Sequence, residues 1–257
     1  MLDQIHEVKK EELKHLKLPE AVELPRYSFY EALKEPNRPL ALIAEVKKAS
    51  PSKGLIREDF DPLTIAQAYQ RAKADCISVL TDEQFFKGSR DYIKVVKEQA
   101  ARPVLRKDFI IDELQIEESV RIGADAILLI AEMLGAEKLH YLYERATEAG
   151  LDCLVEVHEE KSLTDILQRF TPRIIGVNNR NLKTFETSLT QTEQIAKHVP
   201  NESIFISESG IHTPGDLKRV QQAGANGVLI GESFMRQQNV TEAVENLFAQ
   251  IESEAIR

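Results

Sequence analysis

Gly123-Ala-Asp-Ala-Ile-Leu-Leu-Ile-Ala131 holds the longest unbroken apolar run of the chain, the six residues Ala126–Ala131. The run is short and does not alternate, so it reads as a strand buried on both faces of a parallel sheet. Gly123 reads as the left-handed cap of a preceding helix, and Gly224-Ala225 repeats the device near the other end of the chain. With Asp125–Ile130 as template, seven more such runs stand out: Ala41–Val46, Cys76–Leu80, Pro103–Leu105, Asp152–Val157, Arg173–Val177, Ser203–Ser207 and Asn226–Ile230. Their starts lie 21 to 35 residues apart, room for one strand, one helix and two loops. Helical spacings fill the gaps, as in Ile65/Ala68/Tyr69 and Leu217/Val220, with start signals at Asp61-Pro62, Asp112-Glu113 and Thr213-Pro214. Eight β-then-α units predict an α/β fold, a (β/α)8 TIM barrel. The alternative is an open doubly wound sheet, which normally shows a glycine-rich turn after its first strand. Here that strand runs into Glu45-Val-Lys-Lys-Ala-Ser-Pro-Ser-Lys-Gly54, which is not GxGxxG.

The whole chain, 1–257, reads as one domain, with the barrel over 41–257 and an N-terminal helical extension over 1–40. In the extension Ile5, Val8, Leu13 and Leu16 form an amphipathic stripe, and Pro19, Pro25, Pro36 and Pro39 punctuate the remainder of the segment. At 257 residues, 42% hydrophobic and 29% charged, the composition is globular. A longest apolar run of six falls far short of the roughly 20 that a membrane span needs. A net charge of −9 argues against nucleic acid as the main partner and leaves a small anion open. The first ten residues lack an apolar signal core, so a cytoplasmic location is expected. Cys76 and Cys153 sit in apolar runs without CxxC or a nearby His pair, and are expected to be inert core thiols.

Barrel enzymes work at the carboxyl ends of their strands. Here the ends read Glu45 and Lys47, Arg106-Lys107-Asp108-Phe109, Glu156 within Leu-Val-Glu-Val, Asn178-Asn179-Arg180-Asn181, Ser207-Glu208-Ser209-Gly210, and Gly231-Glu232-Ser233. Any one of them could be a solvated loop residue. Glu156 is different, because a carboxylate inside a buried apolar run needs partners. Glu45 and Lys47 are two apart and share one face of the strand. Gly210 and Gly231, on the last two units, suit backbone N–H groups approaching a phosphate. Two lysines and two glutamates without a nucleophile triad or metal-ligand spacing favour proton transfer. A general-acid lysine is expected to have its pKa pushed down by burial and by the second ammonium, while Glu45 raises whichever lysine it pairs with. A Schiff-base lysine is the competing use.

Ile43-Ala-Glu-Val-Lys-Lys-Ala-Ser-Pro-Ser-Lys-Gly54 resembles the first-strand signature of the indole-3-glycerol phosphate synthase family. Further matching segments come in order: Leu80–Ser89, Pro103–Ile110, Leu154–His158, Ile175–Leu182, Ile206–Ile211 and Val228–Ser233. The resemblance implies a carboxy-lyase of tryptophan biosynthesis without cofactor or metal. It would convert 1-(2-carboxyphenylamino)-1-deoxyribulose 5-phosphate to indole-3-glycerol phosphate by ring closure, decarboxylation and dehydration. It further implies Lys107 as general acid, Glu156 as base, and Lys47 as carboxylate contact and second acid oriented by Glu45. Asn178 would position hydroxyls or hold Glu156, Ser209 would touch substrate, and Glu208 would support the mouth. Ser50, Gly210, Gly231 and the N–H of Glu232 would hold phosphate, with Arg180 also at the substrate. Phe86, Phe109, Ile130, Leu182 and Leu229 would wall the aromatic ring. The expected partner is a small phosphorylated substrate, with no nucleic acid and no membrane, and the chain is expected to be a monomer. In the family the N-terminal segment lies over the mouth, so deleting residues 1–40 is expected to weaken binding more than folding. Two alternatives stand. Phosphoribosylanthranilate isomerase would want an Asp and a Cys at strand ends, whereas both cysteines here lie inside strands. A non-catalytic phosphate-binding barrel would be expected to have lost some strand-end groups.

Overall fold

In the computed structural model, which describes residues 1–181 and 184–255, the eight runs form eight parallel strands: β1 Ala41–Val46, β2 Cys76–Leu80, β3 Val104–Lys107, β4 Ala126–Ile130, β5 Asp152–Val157, β6 Ile174–Asn178, β7 Ile204–Glu208 and β8 Gly227–Ile230. They pair in sequence order, and β8 closes back on β1 with Ala41 opposite Gly227 and Ile43 opposite Leu229. The barrel, not the open sheet, is therefore the fold. Helices succeed the strands as the start signals indicate. Asp61 accepts from the Leu63 and Thr64 amides, Asp112 from Leu114, and Thr213 forms a capping box with Asp216. Gly123 and Gly224 both hold positive φ, +84° and +104°, where a side chain would be strained.

Strand side chains alternate between two cores. Leu42, Ala44, Ile77, Val104, Leu129 and Val155 face the surrounding helices. Ala41, Ile43, Cys76, Leu105, Leu128, Leu154, Ile206 and Leu229 fill the interior. Both cysteines are buried and unpaired, and burial pushes both thiols up, away from the thiolate form.

The N-terminal extension is a strap with two ends. Helix α1 (Leu2–His15) lies at the mouth, where Met1 and Leu2 line a pocket at the carboxyl ends of the strands. The chain then runs past the helix Glu113–Arg121, with the Val22 amide on the Arg121 carbonyl. Helix α2 (Phe29–Lys34) plugs the opposite end, burying Phe29 and Leu33 in the interior core. Residues 1–40 therefore do not act as one cover over the mouth, since the second half belongs to the barrel's floor. The apolar stripe of α1 also differs from the expected one. Ile5 is buried, but the other deeply buried side chain is Lys9, while Val8, Leu13 and Leu16 are only half-buried.

At the floor, strand-start carboxylates receive backbone donors. Asp75 accepts from the Leu42 and Asn37 amides at 2.8 and 2.7 Å. Asp125 accepts from Val104 and Tyr27 at 2.9 and 3.0 Å and from the Lys97 ammonium at 2.6 Å. Asp152 accepts from the Tyr30 amide at 2.9 Å. These contacts tie the strap to the barrel.

Candidate active site

Each inward apolar residue is succeeded, two positions on, by the next inward residue of its strand. Ile43 leads to Glu45, Leu105 to Lys107, Leu154 to Glu156, Gly176 to Asn178, and Ile206 to Glu208. The period of two thus lifts five polar side chains from five strands into one layer at the carboxyl ends. They meet in a single pocket, lined by Glu45, Lys47, Lys107, Glu156, Asn178, Glu208 and Ser209 together with Ser50, Phe86, Phe109, Ile130, Arg180, Gly210, Leu229, Gly231 and Glu232. Every sequence-predicted site residue is there except Leu182, which lies outside the described residues.

Lys107 is the hub. Its Nζ lies 2.5 Å from Glu208 Oε2 and 3.3 Å from Glu156 Oε2. Burial works against this ammonium, but the carboxylates of Glu208, Glu156 and Glu45 outweigh it and hold Lys107 well above the ordinary lysine range. The expectation that burial and a second ammonium lower Lys107 is thus corrected, because the glutamates dominate. Lys47 is bound to Glu45 Oε1. Glu45 is buried, and Lys47, then Lys107, overcome the burial to hold its carboxyl below the usual range. Asn178 Nδ2 donates to Glu156 Oε1 at 3.2 Å, and its Oδ1 accepts from the Arg180 amide at 3.0 Å. Asn178 therefore bridges Glu156 to the loop after β6.

Glu208 is not a support at the rim. It is 1% exposed, directly beside Lys107, and its Oε1 has no hydrogen-bond partner. Burial pushes its carboxyl up to about 8 despite the pull of Lys107, with Glu156 adding to the rise. The Glu45 side chain lies against Gly231. The Glu232 carboxylate turns to Arg180 at 3.4 Å and Arg236 at 3.0 Å, with Lys53 at 4.0 Å. Arg180 reaches on to Ser52 Oγ at 3.3 Å, so it ties the loop after β6 to the one after β1. That latter loop carries a small hairpin, Ala49–Ser50 against Gly54–Leu55, which sequence reading missed because two-residue strands look like a turn.

Phe86 and Phe109 face each other with ring centroids 6.0 Å apart. Both are held by buried carboxylates. Asp82 Oδ1 accepts from the Phe85 and Phe86 amides at 2.6 and 3.2 Å, and Asp108 Oδ1 accepts from the Phe109 amide at 2.8 Å. Lys9 of α1 spans the two, 2.7 Å from Asp82 and 3.0 Å from Asp108. Behind them Arg106 pairs with Asp108 at 3.2 Å and with Glu118 at 2.6 Å. Sequence reading missed Lys9 because a lysine within an amphipathic helix reads as solvated. It also missed Ser52, Phe185 and Leu2, which line the pocket.

Residues 2–247 match the sequence model of indole-3-glycerol phosphate synthase. The chain belongs to the indole-3-glycerol phosphate synthase family. It is 58% identical over 252 residues to the indole-3-glycerol phosphate synthase of Priestia megaterium, covering 98% of this chain and 99% of that protein. It is 57% identical over 248 residues to that of Halalkalibacterium halodurans, covering 96% of each. Among solved structures, a 3-hexulose-6-phosphate synthase superposes with a TM-score of 0.63 at 16% identity, covering 82% of this chain and all of the other. Thiamine phosphate pyrophosphorylase from Pyrococcus furiosus gives 0.60 at 13%, covering 86% and 98%. At such identities these two speak for the barrel alone. Family membership makes the protein a carboxy-lyase of tryptophan biosynthesis, an indole-3-glycerol phosphate synthase by activity. Among the described residues, no helix is long and apolar enough to cross a membrane.

Proposed function

We propose that Lys107 is the general acid that starts the reaction, and that the other polar groups divide the remaining steps. The observation that carries this reading is the place of the Lys107 ammonium, inside the pocket that also contains Lys47 and 3.3 Å from Glu156. As the aromatic carbon attacks the C2 carbonyl of the ribulose moiety, negative charge develops on the carbonyl oxygen. Lys107 donates its proton there. Loss of carbon dioxide then returns an electron pair to the ring. Lys47, oriented by Glu45, contacts the carboxylate before it leaves. A tightly held cation favours the carboxylate ground state, and the apolar walls of Phe86, Phe109, Ile130 and Leu229 oppose that by excluding water. In the dehydration, Glu156 accepts the proton that is lost, Lys47 serves as the second acid for the departing hydroxyl, and Asn178 keeps Glu156 aimed. Leu182 is proposed as a further wall. Ser209 and Arg180 contact the substrate, and Ser50, Gly210, Gly231 and the Glu232 amide take the phosphate. The partner is a small phosphorylated molecule, and we propose a cytoplasmic monomer, because one chain supplies every group named here.

The test follows indole fluorescence on adding 1-(2-carboxyphenylamino)-1-deoxyribulose 5-phosphate to wild type, Lys107→Met and Glu156→Gln. A positioned proton donor or acceptor contributes about 10²–10⁴-fold. Lys107→Met is expected to lose at least the upper part of that range and still bind the product. A near-wild-type rate would remove the assignment.

A further inference from the structure

The two lysines of the site are each gripped by a glutamate, and each of those glutamates lies against a glycine of the neighbouring strand. Gly176 sits in β6, beside β7, which ends at Glu208. A Cβ added at Gly176 would fall 2.1 Å from Glu208 Oε1 and 3.2 Å from its Cδ. Gly231 comes directly after β8, beside β1, which carries Glu45. A Cβ there would fall 2.4 Å from Glu45 Oε1 and 2.9 Å from its Cβ. Neither glycine is required by its backbone, since neither has positive φ. What each position excludes is the side chain, and the space left open is filled by a carboxylate.

We propose that Gly176 and Gly231 are positioning residues of the reaction, whose missing side chains seat the Glu208 and Glu45 carboxylates against Lys107 and Lys47. This rests on the roles proposed above for the two lysines. The energetics favour movement of the glutamate over failure of the fold. At Gly176 the conflicting atom is the tip of a flexible side chain, and the nearest atom of any other residue, Leu154 Cδ1 at 3.1 Å, need yield only a few tenths of an ångström. Glu208 Oε1 has no hydrogen bond to lose. An alanine at 176 therefore turns the carboxylate away, and the 2.5 Å contact to Lys107 goes with it. Lys107 then keeps Glu156 as its near partner and changes both direction and acidity. At Gly231 the conflict reaches Glu45 Cβ, so the strand itself must adjust, and a larger disturbance is expected.

A third inward glycine provides the control. A Cβ at Gly227 would also be crowded, 2.9 Å from Ala41 Cβ, 2.9 Å from Ile206 Cδ1 and 3.0 Å from the Ala41 carbonyl oxygen, and none of these atoms belongs to a carboxylate. Gly176→Ala, Gly231→Ala, Gly227→Ala and Lys107→Met are to be compared for kcat, KM, Tm and the pH profile of kcat/KM. Misplacing a catalytic group by about 1 Å costs on the order of 100-fold. Gly176→Ala is expected to lose about that factor in kcat with little change in KM, and to shift the pH profile. Gly227→Ala is expected to lower Tm while keeping kcat and the profile. Shortening the glutamate in Gly176→Ala/Glu208→Asp is expected to recover about tenfold, because the tip no longer meets the new methyl. Wild-type kcat in Gly176→Ala, or the same kcat loss in Gly227→Ala, would overturn the proposal. If Gly176→Ala does not fold, Gly231→Ala decides by kcat and the pH profile alone, because Gly231 also stands in the proposed phosphate site and its KM does not discriminate. If Lys107→Met keeps its turnover, it is the lysine assignment that fails, which separates the two outcomes.

Discussion

Carboxylates stand at both ends of this barrel, and three aspartates at the floor differ from three glutamates inside the pocket in the donors they accept from. At the floor, Asp75, Asp125 and Asp152 accept from backbone amides of the N-terminal strap and of neighbouring strands. At the mouth, among the described residues, Glu45, Glu156 and Glu208 accept from Lys47, Lys107 and Asn178, all of them side-chain donors. Backbone donors are fixed in place by the fold, so a carboxylate that consumes them is committed to holding segments together. A carboxylate facing ammonium groups across a pocket can exchange partners and protons with whatever enters. Burial does not separate the two classes, because Asp125 is 2% exposed and Glu156 3%. The identity of the donor does.

Replacing Asp125 offers the largest test of that contrast. Asp125→Ala leaves the buried Lys97 ammonium without its carboxylate, which costs about 3–5 kcal/mol. Urea unfolding is expected to show the loss, while kcat per folded molecule stays within about twofold of wild type. A matching fall in kcat would erase the distinction between floor and mouth. The strap sharpens it further. Phe29→Ala empties a fully buried ring site at the floor, with an expected cost of about 3–5 kcal/mol and no change in KM. Deleting residues 1–18 removes only the mouth end, so KM is expected to rise with a smaller loss of stability than deleting 1–40 produces. The structure places the second half of the segment at the floor, so a binding role is proposed for the first half alone.

Lys9 lies between the two classes. It is as buried as a floor residue, yet it joins the loops that carry Phe86 and Phe109. Lys9→Met is expected to cost about 3 kcal/mol, the low end for a broken buried pair, because Asp108 keeps Arg106 and Thr81. It should also raise KM several-fold, and Lys9→Arg should restore part of both. An unchanged KM would make Lys9 purely structural.

The smallest effect is one of pH. Glu208, pushed up to about 8, ionises within the working range, and its charge then grips the Lys107 proton more tightly. kcat/KM is expected to decline above about pH 8, and this limb should be absent in Glu208→Gln. Stability carries the same signature. Between the ordinary glutamate value of 4.5 and about 8 the folded state retains a proton that the unfolded chain has released, so Glu208 makes unfolding easier as pH rises through that window. Asp108 works in the opposite sense. Held well below 3.8, chiefly by Arg106 and Lys9 against its burial, it contributes stability above 3.8 that is lost as pH falls. Thermal melts of Glu208→Gln and Asp108→Asn across these two windows would show opposite changes in slope.

Much of the architecture was legible residue by residue. Ala41–Val46, Cys76–Leu80 and Asp152–Val157 are strands with the boundaries their composition indicates, because runs buried on both faces leave an unbroken apolar signature. The site was legible through the same rule, since a polar residue two places beyond an inward apolar one must enter the mouth. Asp75 and Asp125 were not legible as anchors. An aspartate ahead of a strand looks like any loop residue until the strap that supplies its donors is in place. Gly176 and Gly231 gave no sign of their neighbours for the same reason.

The linear order of residues determined the eightfold repeat and the presence of lysine and glutamate at the strand ends, because these show in the recurrence of short apolar runs and in the polar residues that close them. Only the closed barrel decided which groups meet. Lys107 pairs with Glu208 across 101 positions of chain, and the elevation of its pKa comes from carboxylates on β1, β5 and β7. Such pairings depend on distances of a few ångströms between strands, and those distances exist only once the last strand has closed against the first.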